Sequence, residues 1–285
     1  MASLFTSEKE KKEILGLYDE KLAALSVPYQ YQTTATSYGD TNIIVSGNPS
    51  SPPIIVLHGS NGCAPIAIET YPNLYKSFRV YAIDVLAQPN KSAETRLRMD
   101  DDSYGKWMHE IIDILDLKQV RLAGFSFGGL IILKTLEHKE SKIKEVYLSA
   151  PAYIVNGNPF KLLLHIFLPM KRYKKTKKIK YVEKFLSKVF TDRDEFASKY
   201  LSKVFLHFNM DFTPVPVIAS KRAKAIQTPI TLFAADKDLI FPGNKMIKRA
   251  QKIFPSLKKH YLIKGSKHVQ NSQQNAFIEQ QILNS

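Results

Sequence analysis

Ser126 stands between two glycines in Gly124-Phe125-Ser126-Phe127-Gly128, a spacing that suits a serine nucleophile. The pentapeptide follows an apolar run, Val120-Arg121-Leu122-Ala123, and opens into another, Gly129-Leu130-Ile131-Ile132-Leu133. That order reads as strand, tight turn, helix. Glycines two before and two after the serine let strand and helix approach closely. The hydroxyl then stands at a helix N-terminus, where backbone N–H groups can meet developing negative charge. The plainer reading of the same residues is a glycine-softened turn carrying an ordinary surface serine, and the rest of the chain decides between the two.

A serine nucleophile needs a base to take its proton, and the base needs a partner to fix its tautomer. In proteins that carry this pentapeptide on a strand-to-helix turn the acid and then the histidine follow the serine, which is the order expected by resemblance to them. Of the seven histidines, His58 and His109 precede the serine and His138 ends the helix that follows it. His165 and His207 fall in a long helical stretch, and His260 begins the last strand. Only His268 follows that strand, in the loop Gly265-Ser266-Lys267-His268-Val269. Ligand chemistry in open α/β sheets gathers at the carboxyl ends of the strands, so His268 is the expected base. The acid is expected in Ala235-Asp236-Lys237-Asp238, after the preceding strand. Asp236 ends that strand and Asp238 sits deeper in the turn; spacing leaves both open. No carboxylate follows the strand that ends at Ala150.

A tetrahedral intermediate requires two N–H donors aimed at its oxyanion. The N–H of Phe127, the residue after the nucleophile, is one. The loop His58-Gly59-Ser60-Asn61-Gly62 supplies the other from Ser60, with Asn61 as the alternative. Asn61 and Phe125 flank these groups and are expected to touch substrate. The side chain of His58 reads as a hydrogen bonder that fixes the loop.

These residues need a sheet to hold them. Ser7-Glu8-Lys9-Glu10 has the form of a capping box, and Ile14, Tyr18, Leu22 and Leu25 behind it recur at helical spacing. Residues 29–36 and 41–46 read as strands joined at Tyr38-Gly39-Asp40. Ile54 to Leu57 is apolar on both faces, as a central parallel strand is. Strands at 79–84, 120–123, 146–150, 231–235 and 261–263 alternate with helices, one of them starting near Ser103. Between residues 150 and 221 the alternation stops and the pattern is helical throughout. Strand and helix alternating on both sides of a helical insertion indicate an α/β sheet, mostly parallel and flanked by helices, with a helical cap. The expected division is an N-terminal helix over 1–28, a core over 29–151 and 221–285, and the cap over 152–220.

Composition narrows the class. The single cysteine, Cys63, excludes a disulfide framework and suits a reducing compartment. The N-terminus lacks the apolar stretch of a secretory signal, and no run is long enough to span a bilayer; the cytoplasm is the expected location. The formal charge of +15 is compatible with a basic surface for anionic partners or with simple solubility. Its densest part is Lys171 to Lys188, with nine basic residues against Glu183 alone. A solvated face explains such a run, as does attraction of an anionic substrate or an anionic lipid surface. No nucleic-acid-binding module is recognisable.

The chain resembles the α/β-hydrolase superfamily, and more narrowly its bacterial serine carboxylesterases. The resemblance runs through Val27-Pro28-Tyr29, Ile44-Val45-Ser46-Gly47, Ile55-Val56-Leu57-His58-Gly59, Arg79 to Asp84, Asn90-Lys91-Ser92, Ser103 to Trp107, the Ser126 motif and Ser149-Ala150-Pro151. In the family the acid segment commonly reads Gly-x-x-Asp with proline four residues on; Ala235-x-x-Asp238 and Pro242 fit that frame, so the resemblance implies Asp238. It implies a serine hydrolase acting on a small carboxylic ester through an acyl-enzyme, with no metal or organic cofactor. The same three residues would serve a lactone, amide or thioester hydrolase or an acyltransferase. A small-ligand receptor with little turnover and a basic scaffold for anionic surfaces are the alternatives from other classes. Two departures stand out: Ala87 and Asn90 take places usually held by glycine after Asp84, and Ser60-Asn61-Gly62-Cys63 is bulkier than usual. Asparagine tolerates positive φ, which would preserve the turn at Asn90.

Overall fold

The computed structural model describes residues 3–285; Met1 and Ala2, the start of the N-terminal segment, lie outside them. Helix α1 (Glu8–Ala23) begins at Ser7, whose side chain accepts the Glu10 N–H. The hairpin β1 (Gln30–Thr36) and β2 (Gly39–Ser46) follows, then β3 (Pro53–Leu57), α2 (Ala64–Thr70), β4 (Arg79–Ile83) and α3 (Ser103–Ile114). Asp102 occupies the cap position of α3, and no side chain caps it. Next come β5 (Val120–Phe125), α4 (Phe127–His138) and β6 (Ile143–Ser149). After β6 the chain runs through α5 (Pro159–Leu162), a π-helical turn (Leu163–Phe167), α6 (Leu168–Thr176), α7 (Lys180–Val189), α8 (Glu195–His207) and α9 (Ser220–Ala225). It closes with β7 (Ile230–Ala235), α10 (Gly243–Ile253), β8 (Leu257–Ile263) and α11 (Ser272–Leu283).

The eight strands form one sheet in the order β1-β2-β4-β3-β5-β6-β7-β8. The β1–β2 and β2–β4 pairs are antiparallel and every other pair is parallel. After β3 the chain goes outward to β4, then returns to place β5 on the other side of β3. The sheet therefore changes direction between β3 and β5, with Leu57 opposite Gly124. Crevices at such switch points, beyond the carboxyl ends of the strands, are where open α/β sheets bind ligands.

Alternate residues of the central strands feed two separate cores. Ile55 and Leu57 pack with Trp107, Ile111 and Leu130 on one face, while Ile54 and Val56 pack with Tyr18, Leu22 and Ile278 on the other. Burial on both faces explains the unbroken apolar run of β3. A third cluster joins the helices between β6 and β7 to the N-terminus: Ile14 and Leu17 meet Val182, Tyr200 and Phe205. Backbone bonds from Thr6 N–H to His207 O and from Asn209 N–H to Leu4 O, 3.0 and 2.8 Å, tie the two segments together. Helix α1 thus packs on the body and straps the insertion. Tyr200, fully buried, adds a bond from its hydroxyl to the Pro89 carbonyl, 2.6 Å, which fixes α8 to the loop after β4. Among the described residues no helix is long and apolar enough to cross a membrane.

Candidate active site

Ser126 sits between β5 and α4 with φ 53 and ψ −112, a conformation that side-chain-bearing residues rarely adopt. The neighbouring glycines let strand and helix come close enough to form this turn. A Cβ on Gly124 would lie 2.7 Å from the Gly128 carbonyl carbon, and one on Gly128 would lie 2.6 Å from the Leu57 oxygen. Strand and helix therefore touch backbone to backbone, as the motif required.

His268 follows β8 and Asp238 follows β7, and both are buried. His268 Nε2 lies 2.9 Å from Ser126 Oγ, and its Nδ1 lies 2.7 Å from Asp238 Oδ2. A carboxylate only accepts, so Nδ1 carries the hydrogen and Nε2 is free to accept from the serine hydroxyl. The second carboxylate oxygen, Asp238 Oδ1, accepts the N–H groups of Ile240 and Phe241 at 2.7 and 3.0 Å. That turn aims Oδ2 at the imidazole. Asp236 is not part of the line: its backbone N–H continues the sheet to Ile263 O, and its buried Oδ1 has no hydrogen-bond partner.

The loop after β3 abuts the serine. A Cβ on Gly59 would come within 3.2 Å of Ser126 Cβ and 2.9 Å of the Phe125 ring, so only glycine lets the loop lie this close. His58 is fully buried; it donates from Nδ1 to Gly59 O at 2.8 Å and accepts the Val85 N–H on Nε2 at 3.0 Å. Burial lowers its pKa to about 4, which keeps it a neutral clamp between two loops. Asn61 has φ 59, and its N–H donates to Gln88 Oε1 at 2.7 Å. Ser60 N–H has no partner among the described residues, and neither has the N–H of Phe127 in the first turn of α4. The Phe127 ring points away, edge-on to Tyr104 in the core. Phe125 lies against His268, ring centres 5.0 Å apart.

The turn after β4 departs from the expectation. Ala87, not Asn90, carries the positive φ, 54°. Asn90 instead spends its side chain on bonds, accepting the Ser92 N–H and donating to Val85 O, each at 3.0 Å. Gln88, one residue past Ala87, is the functional neighbour that sequence reasoning missed; a lone glutamine in a loop gives no spacing signal. Nearby, burial raises the pKa of Asp84 to about 6 despite its bonds from the Ala64 N–H and the Asn42 amide.

Ser126, His268, Ser60, Asn61 and Phe125 line a cavity of about 1140 Å³ whose far walls come from the insertion. Those walls are largely apolar: Leu162, Ile166, Met170, Phe185, Leu201 and Phe205 are among them. None of the nine basic residues of the Lys171–Lys188 run reaches the cavity. The insertion also grips the His268 loop. Val269 N–H donates to Val189 O at 2.9 Å, and Lys267 N–H donates to Thr191 Oγ1 at 3.0 Å.

Comparison with known proteins agrees with this architecture. Residues 52–192 match the family model for the alpha/beta hydrolase fold. The chain is 23% identical to an uncharacterized carboxylesterase, nap, of Bacillus subtilis (strain 168), over 93% of this chain and 89% of that protein. It is 31% identical to the carboxylesterase YbfK of the same organism over 47% of this chain and 46% of that protein. The crystal structure of naproxen esterase from Bacillus subtilis superposes with a TM-score of 0.84 at 21% identity, covering 98% of each chain. The chain has the α/β-hydrolase fold and resembles bacterial carboxylesterases.

Proposed function

We propose that the chain hydrolyses carboxylic esters through an acyl-enzyme intermediate formed on Ser126. The reading rests on one observation: the unbroken line Ser126 Oγ–His268 Nε2, His268 Nδ1–Asp238 Oδ2, opening into a largely apolar cavity. His268 takes the hydroxyl proton as Ser126 attacks the ester carbonyl, and Asp238 holds the imidazole in the accepting tautomer and offsets its charge. The oxyanion is met by the N–H groups of Phe127 and Ser60; the Asn61 N–H is engaged by Gln88, which supports Ser60 over Asn61 as the second donor. Collapse expels the alcohol, which takes the proton from His268. A water then enters, loses a proton to the same imidazole and releases the carboxylic acid.

In this reading residues 29–151 and 221–285 are the core and residues 152–220 the cap, whose apolar walls choose the substrate. A cavity of about 1140 Å³ exceeds the usual range for small-molecule sites, roughly 300–1,000 Å³, so it suits an ester with a bulky or extended apolar group. Phe125 and Asn61 flank the reacting carbon. The buried, unpaired Cys63 supports a reducing compartment, and we assign the chain to the cytoplasm on that ground.

The test is labelling with a fluorophosphonate probe, followed by turnover of p-nitrophenyl esters of graded acyl length. The wild type is expected to label and to turn over, and Ser126→Ala to do neither while keeping its fold. Labelling of Ser126→Ala at the wild-type level would remove the assignment.

A further inference from the structure

The helices α5 and α6 and the π-helical turn between them make one continuous rod over residues 159–176. At 1.5 Å per residue it is about 27 Å long. Its inner face, Leu162, Ile166, Met170 and Tyr173, packs into the insertion. Its outer face begins with Phe160, Leu163, Leu164 and Phe167, at the spacing that brings residues to one side of a helix. These are not core residues: Phe160 is 71% exposed and Leu163 57%. The Phe212 ring, 52% exposed, adds to the patch from the segment after α8, 5.9 Å from the Phe167 ring.

The same stripe then changes character. One and two turns beyond Phe167 it carries Lys171, Lys174 and Lys175, all exposed, and Lys174 Nζ lies 5.9 Å from the centre of the Phe212 ring. Large exposed apolar side chains beside clustered lysines are what an anionic bilayer selects: rings and aliphatic chains enter the interface while ammonium groups meet the phosphates. Glu183 is alone within the run, and Asp211 faces Arg96 at 4.0 Å. Phe167 and Phe212 also line the cavity, so the patch borders its rim. Because no lysine of the run lines the cavity, the charge is placed to hold a surface and not a substrate.

We propose that this outer face docks the protein on the surface of an anionic phospholipid bilayer, with the cavity rim toward the lipid. The docking does not depend on the chemistry assigned to Ser126.

The experiment measures co-flotation of the full chain with vesicles of phosphatidylcholine alone and of phosphatidylcholine with about 30% phosphatidylglycerol, across a salt series. Wild type is expected to bind the anionic vesicles, release as salt rises, and bind neutral vesicles weakly. The charge variant Lys171→Gln/Lys174→Gln/Lys175→Gln/Lys178→Gln should lose at least about 100-fold in affinity for anionic vesicles. The apolar variant Phe160→Ser/Leu163→Ser/Leu164→Ser should lose at least about tenfold while keeping its salt dependence. Neither set lines the cavity, so turnover of a short neutral ester should be unchanged in both, which checks the fold. Ser126→Ala should bind vesicles as wild type does, so that docking and catalysis fail separately. Absence of binding at low salt, equal binding to neutral vesicles, or wild-type binding by the charge variant would overturn the proposal. Tight binding of a DNA duplex through the same lysines, with vesicles left unbound, would overturn it in favour of nucleic acid.

Discussion

Thr191 grips Val269 twice: its N–H donates to the Val269 carbonyl at 3.0 Å and its hydroxyl to the same oxygen at 2.8 Å. The hydroxyl also accepts the Lys267 N–H. One side chain of the insertion therefore holds the residues on both sides of His268. Thr191→Val removes both hydroxyl bonds and keeps the shape. It is expected to lower kcat by about tenfold to 10²-fold, since small misplacement of a reacting group costs that much. Thr191→Ser should restore most of the rate. A pair of variants with equal kcat would show that the loop holds His268 unaided.

Asp238 and Asp236 are separated by one residue and by very different duties. Asp238→Asn keeps the oxygen that the Ile240 and Phe241 N–H groups require, so the turn should survive. It loses the carboxylate that fixes the His268 tautomer, and kcat should fall on the order of 10⁴-fold, as in the serine-protease case. Asp236→Asn should leave kcat within a few-fold. Reversed effects in steady-state kinetics would move the acid to Asp236.

In the proposed reaction Gln88 acts through Asn61. By holding the Asn61 N–H it sets the path of the loop that presents Ser60. Gln88→Leu should lower kcat by about 10-fold to 10²-fold, within the range seen when an oxyanion donor is disturbed, with KM little changed. Gln88→Glu keeps the acceptor and should keep most of the rate. Loss in both variants alike would point to packing instead of the hydrogen bond.

Much of this was legible in the chain because local rules and the fold agree. The Ser126 turn could be read because the glycines that permit contact between β5 and α4 lie within the pentapeptide. His268 could be read because only one histidine follows the last strand. The choice between Asp236 and Asp238 could not be read from spacing, because it depends on how a turn aims an oxygen at a loop thirty residues away in sequence. The positive φ at Ala87 was hidden for a related reason. Alanine there is locally unfavourable, and what holds it is tertiary: its N–H bonds to Ala93 O while Asn90 braces the loop from inside. Strand β8 starts at Leu257, four residues before the apolar stretch that marks it in the sequence; Lys258, Lys259 and His260 at its start are polar and exposed and carry no apolar signal. The grip of Thr191 on Val269 joins residues 78 apart and leaves no mark in either segment.

Ala87 itself makes a stability test. An alanine at φ 54 pays a steric cost of about 1–2 kcal/mol that glycine does not. Glycine gives back about 0.4–1 kcal/mol through the freer unfolded chain. Ala87→Gly is therefore expected to be neutral to stabilising by about 1 kcal/mol in chemical denaturation, without change in kcat. A loss of more than about 1 kcal/mol would show that the alanine methyl, which is buried, contributes packing that outweighs the strain.

The last prediction concerns acid. His58 and Asp84 are both buried near the site, and burial moves their pKa values in opposite directions, to about 4 and about 6. Between roughly pH 6.5 and 4 the unfolded chain holds a proton on His58 that the folded chain lacks, so this group makes stability fall as pH falls. Between about pH 6 and 3.8 the folded chain holds a proton on Asp84 that the unfolded chain lacks, so this group makes stability rise as pH falls. Each slope approaches about 1.4 kcal/mol per pH unit, and across the shared window they nearly cancel. Asp84→Asn removes one of the two and keeps a polar group of similar shape. Its stability should fall between pH 6 and 4 more steeply than that of the wild type, by a difference approaching about 1.4 kcal/mol per pH unit. His58→Gln should show the opposite difference, and subtracting the wild-type curve removes every other titrating group. Urea denaturation at half-unit steps of pH would measure both, and parallel curves for wild type and either variant would show that the group replaced does not titrate between folded and unfolded states in this window.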